Sequence, residues 1–172
     1  MNDREDSLRQ RILAAPSDPG ALRELALLIG QARDRKVEAM DLWQRYLEVA
    51  DAHDVPAALL ALSRAQIEAR FESDAIETLR RCTLEAPDQP EAYETLGELL
   101  RRHGDLQGAA DALRRAAELQ PGSPQPLLAL LTCLDSMGDT AAAQEVLTSV
   151  QRMAAGYPAL AALIRELMQR RG

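Results

Sequence analysis

The sequence predicts an all-α protein, an α-solenoid of four helical hairpins with a capping helix at either end, about ten helices in total. Three observations predict it. Alanine, leucine, arginine and glutamate dominate while aromatics are only 3%, a mix that favours helix over sheet. Apolar residues recur at i, i+3, i+4 and i+7, as in Tyr93, Leu96, Gly97 and Leu100, which share one side of a helix. The layout then returns at a 34-residue step, marked by Pro56, Pro90, Pro124 and Pro158. One hairpin alone would leave much of its apolar surface in water, and stacking like units buries it.

The elements follow in order, as one domain over 1–172. Residues 1–16 form an N-terminal capping helix with Leu8, Ile12 and Leu13 on its apolar side and Arg4, Glu5, Arg9 and Arg11 supplying charge; it stops at Pro16. A degenerate first repeat spans 19–55. Leu22, Leu25, Ala26 and Ile29 line its first helix; Ala39, Leu42, Trp43, Tyr46 and Ala50 line its second. Between them Arg33-Asp34-Arg35-Lys36 reads as a polar turn, and Trp43 and Tyr46 as core.

The second repeat, 56–89, carries Leu59, Leu62, Ser63 and Gln66, then Ala75, Leu79 and Cys82, with Phe71 covering the hairpin end. The third, 90–123, is the most regular. Pro90 suits a first helical turn, Gly104 can take the left-handed conformation that ends a helix, and Asp105 can cap the next. Gly97 and Ala109 are small where the two helices must come close. The fourth, 124–157, repeats the turn as Gly138-Asp139, with Leu127, Leu130, Leu131 and Leu134, then Ala143, Leu147 and Val150. Ala161, Ile164 and Met168 follow Pro158 at helical spacing, so 158–170 reads as a C-terminal capping helix.

Pro90, Tyr93, Leu96, Gly97, Leu100, Ala109, Leu113, Ala116 and Pro121 together resemble the tetratricopeptide repeat, and the resemblance extends over 19–170. It implies a protein–protein interaction scaffold or adaptor. In that family the first helix of each hairpin lines a concave groove that holds a peptide or protein segment. The groove positions fall here on Arg23, Leu60, Arg64, Ile67, Glu68, Glu91, Glu94, Glu98, Arg101 and Leu128. Arg102 and Leu27 are further candidates. The glutamates lie on the side of their helix away from Tyr93, Leu96 and Leu100, which independently puts them outside the core. An acidic patch with exposed Leu60, Ile67 and Leu128 calls for a partner with basic and apolar residues. A secretion- or assembly-type chaperone and a regulatory module of a larger enzyme are the alternatives. Some family members grip the C-terminal carboxylate of heat-shock chaperones with lysines and asparagines in the groove; here the corresponding places hold Arg23, Leu27 and Arg64, and the missing asparagines argue against binding of that kind.

The rest of the sequence narrows the chemistry. Net charge is −7, which disfavours nucleic acid. Cys82 and Cys133 stand alone, without a metal-binding spacing, so neither a zinc site nor a disulfide framework is expected. His53 and His103 fall in turns, and Gly104-Asp105-Leu106-Gln107-Gly108 lacks the Lys-Ser/Thr of a phosphate loop. No catalytic constellation is present, so the expectation is no enzyme, no cofactor and no metal. The charged start, Met1-Asn2-Asp3-Arg4, has no apolar signal region, and no run is long enough for a membrane span. The reading is therefore cytoplasmic, bacterial in composition and monomeric, with weak self-association through an open face as the variant.

Overall fold

The computed structural model describes residues 3–154 and Ile164. Among the described residues the chain is all-α: α1 (Asp3–Ala14), α2 (Pro19–Ile29), α3 (Lys36–Leu47), α4 (Val55–Glu68), α5 (Glu72–Glu85), α6 (Pro90–Arg102), α7 (Leu106–Leu119), α8 (Pro124–Met137) and α9 (Thr140–Ala154). It comprises two compact units, Met1–Pro87 and Asp88–Gly172, within each of which successive helices pack as antiparallel neighbours.

In the first unit, α1 buries Leu8 and Ile12 against α2 and α3. Leu13 is the exception, at 82% exposed, because it falls outside the stripe that Leu8 and Ile12 define. The expected solvent-facing charges of this cap are largely engaged. Arg35 Nη2 donates to Glu5 Oε1 at 2.7 Å, Arg9 donates to both Glu5 and Glu38, and Arg4 reaches Glu24 at 3.2 Å. Charges written on α1 thus join it to the next hairpin.

Asp18 caps α2, accepting from the Ala21 N–H at 3.0 Å, with Pro19 in the first turn. The connection to α3 contains a short 3-10 turn, Arg33–Arg35. Trp43 and Tyr46 are core residues, packed edge to face at 5.8 Å between ring centroids. The Tyr46 hydroxyl donates to Asp54 Oδ2 at 2.9 Å and so ties α3 to the start of α4. Ala50 lies beyond the end of α3 and is only half-buried. Ser63 and Gln66 are buried; the serine hydroxyl donates to the Leu60 carbonyl at 2.9 Å.

In the second unit, α6 begins at Pro90 and α8 at Pro124, as the register requires. Gly97 faces α7 so closely that a Cβ there would lie 2.6 Å from Leu113 Cγ. Asp105 caps α7 by accepting from the Gly108 N–H at 2.9 Å. Leu130, Leu131, Leu134, Ala143, Leu147 and Val150 are buried, and so is Ile164. The remainder of the expected C-terminal cap, with Pro158, Ala161 and Met168, lies outside the described residues.

Three of the hairpin turns share one closure. Gly104 and Gly138 take φ of +83° and +73°, and the following residue's N–H reaches back five residues, Asp105 to Leu100 and Asp139 to Leu134, both 3.0 Å. The same bond runs from Phe71 to Gln66 at 2.8 Å, but the left-handed residue there is Arg70, at φ +69°. Phe71, expected to cover this hairpin end, is 45% exposed.

Candidate functional site

The expected groove residues divide between the units. In the first, a cleft of about 230 Å³ runs between α2 and α4, lined by Leu27, Trp43, Ala61, Arg64, Ala65 and Glu68 among others. Leu27 is 52% exposed on its rim. A larger cavity of about 670 Å³ sits at the turn end of the same helices and takes in Ile67 and Glu68. Arg64, Ile67 and Glu68 are therefore brought together, since i, i+3 and i+4 fall on one side of α4. Glu68 does not stand free: Lys36 Nζ pairs with it and also donates to the Gly30 carbonyl, and the lysine side chain is only 11% exposed. Arg23 lines neither cavity; its guanidinium lies 3.8 Å from Asp54.

Leu60 corrects the sequence reading. It was expected on an open face but is 6% exposed. Helix α4 carries apolar residues almost all round, with Ala58, Leu59, Leu60, Leu62 and Ala65 all buried. Only Ala57, Arg64 and Glu68 form an exposed stripe on it, and the helix is enclosed over the rest of its circumference. Ile67 and Leu128, also expected exposed, are half-buried for a related reason. Leu128 belongs to α8, whose Leu127, Leu130, Leu131 and Leu134 spread apolar surface over most of its circumference.

In the second unit, α6 presents Glu91, Glu94 and Glu98 at i, i+3 and i+7. Arg101 donates twice to Glu98 Oε2, at 3.1 and 2.9 Å, so one carboxylate of the stripe is compensated from its own helix. Glu94 is half-buried, with no hydrogen bond or ion pair to a cation among the described residues. Burial, and then the charges of Glu98 and Glu91, hold its carboxyl above the usual carboxylate range. The stripe is thus short of positive charge at its centre.

The sequence reading missed the turn-end residues Gly30, Gln31, Arg33, Lys36 and Arg70, which line the larger cavity. A signal was present: Arg70 stands 34 residues before Gly104 and occupies the same turn position. Both cysteines are buried and in no disulfide, and among the described residues no group of three His, Cys, Asp or Glu could hold a metal ion. No described helix is long and apolar enough to cross a membrane.

Residues 100–167 match the family model of the tetratricopeptide repeat. The chain is 31% identical over 151 residues to cellulose synthase 2 operon protein C of Komagataeibacter xylinus. That match takes in 86% of this chain but only 12% of the relative's length. Among solved structures, a crystal structure of MamA superposes with a TM-score of 0.77 at 16% identity, covering 88% of this chain and 86% of that one. YrrB, described as a TPR protein with an unusual peptide-binding site, gives 0.76 at 17% identity, covering 96% and 84%. These likenesses establish the fold as the α-solenoid of helical hairpins expected from the register. With Pro90 and Pro124 at helix starts, left-handed glycines at 104 and 138 and the close approach at Gly97, the chain is a tetratricopeptide repeat protein.

Proposed function

We propose that this chain is a non-enzymatic interaction module whose first-helix faces hold a peptide or protein segment carrying basic and apolar residues. The observation that carries the reading is Glu94: a half-buried carboxylate flanked by Glu91 and Glu98, with no cation of its own. A lysine or arginine brought by a partner would relieve that repulsion and gain a charge-assisted hydrogen bond. Arg64 and Ile67 on α4 and Leu128 on α8 add polar and half-buried apolar contacts on the faces of their own units. The repeat boundaries at 19–55, 56–89, 90–123 and 124–157 belong to the same proposal.

The test is a peptide array probed with the parent protein and with Glu91→Lys/Glu94→Lys. The parent should favour peptides containing lysine or arginine beside leucine or isoleucine, with binding that weakens as salt rises. The double variant should lose that preference. An identical peptide profile for both proteins would remove α6 from the binding surface.

A further inference from the structure

We propose that the cavity at the turn end of the first unit is a pocket for a carboxylate of an acidic peptide segment, separate in place and in charge from the α6 stripe. The α2–α3 connection contributes Gly30, Gln31 and Arg33, α3 contributes Lys36, the end of α4 contributes Ile67 and Glu68, and the turn after it contributes Arg70. Three cations therefore face one carboxylate. Lys36 is committed to Glu68 and to the Gly30 carbonyl, which also masks one of the helix-end oxygens that would repel an anion. Arg33 and Arg70 are exposed, and their guanidinium groups make no hydrogen bond or ion pair among the described residues. Two guanidinium groups at one cavity of about 670 Å³ are left with their donors unused.

Arg70 adds a second, independent point. It occupies the left-handed turn position that glycine fills at 104 and 138. A residue with a Cβ is disfavoured there. The hairpin would close at least as well with glycine, so the arginine contributes something other than the turn. A guanidinium fork matches a carboxylate through two parallel hydrogen bonds. Ile67 offers an apolar wall for the chain next to that carboxylate, while Glu68 in the same wall and the net charge of −7 disfavour a dense polyanion.

The experiment is fluorescence polarisation at low salt with a short labelled peptide of alternating leucine and glutamate, its C-terminus amidated. A glutamine version with a free C-terminus separates side-chain from terminal carboxylate, and inorganic phosphate and acetate serve as competitors. The full chain should bind the glutamate peptide, and binding of the glutamine version alone would overturn the proposal. Arg33→Ser and Arg70→Gly should each weaken binding about tenfold, the loss of a hydrogen bond to a charged group. Arg70→Gly should do so while melting no lower than the parent, a combination that misfolding cannot imitate. Unchanged affinity in both variants, no binding of the glutamate peptide, or displacement by phosphate at concentrations where acetate has no effect would also overturn the proposal.

Discussion

Replacing Gly97 with alanine tests how closely the third hairpin is packed. The added Cβ would lie 2.6 Å from Leu113 Cγ, 3.0 Å from its Cδ2 and 3.2 Å from the Ala109 carbonyl oxygen. Leu113 is fully buried, and Cγ is the branch point of its side chain rather than a free end. The oxygen belongs to the backbone of α7 and cannot turn away. Two effects compete. Alanine gains about 1 kcal/mol over glycine inside a helix, while overpacking a close-packed site costs about 1–3 kcal/mol. With both a branched carbon and a carbonyl inside contact distance, the second should win, for a net loss of up to about 2 kcal/mol. Urea unfolding would read it as a lower midpoint at constant slope. Leu113→Ala removes the obstructing atoms, so in the double variant Gly97→Ala should cost less than it does alone, with a coupling of about 0.5–3 kcal/mol. Gly122, with nothing within 4 Å of its added Cβ, is the control, and its alanine variant should stay near the parent. If Gly97→Ala were stabilised by the full helix-propensity gain, the close approach of α6 and α7 would be disproved.

Two further predictions concern charge. Glu5 is held down to about 2 from 4.5, by Arg35 first and then Arg9. A depressed carboxylate contributes stability above its unfolded value and loses it as pH falls through its folded one. Hydrogen-exchange protection of α1 should therefore fall between about pH 4.5 and 2 in the parent. Glu5→Gln should be less protected at neutral pH and flatter across that window; equal pH profiles would count against the network. Glu94 is displaced the other way, so its ionised form opposes folding at neutral pH. Glu94→Gln should raise the urea midpoint at neutral pH, and the gain should vanish below the ordinary carboxylate range. A variant less stable than the parent at neutral pH would mean that the carboxylate is compensated after all.

Legibility in the sequence tracked how local each feature is. Pro90 and Pro124 at helix starts, Gly104 and Gly138 in left-handed turns and Asp105 as a cap each depend on one or two neighbouring residues, and each was readable. The exposure of Leu60 and Leu128 was misjudged because a position assigned outward on an idealised hairpin ignores how much apolar surface the rest of its helix carries. Arg70 was passed over as a turn residue because no glycine flagged it, although the 34-residue register pointed to it.

Periodicity settled the class of fold and the order of its hairpins, because helix formation, capping and turn closure are decided within a few residues along the chain. The meeting of Arg9 with Glu38, of Lys36 with Glu68 and of Arg33 with Arg70 belongs to the folded chain alone. The members of each pair lie 29, 32 and 37 residues apart, and long charged side chains come near one another only after packing has brought separate helices together.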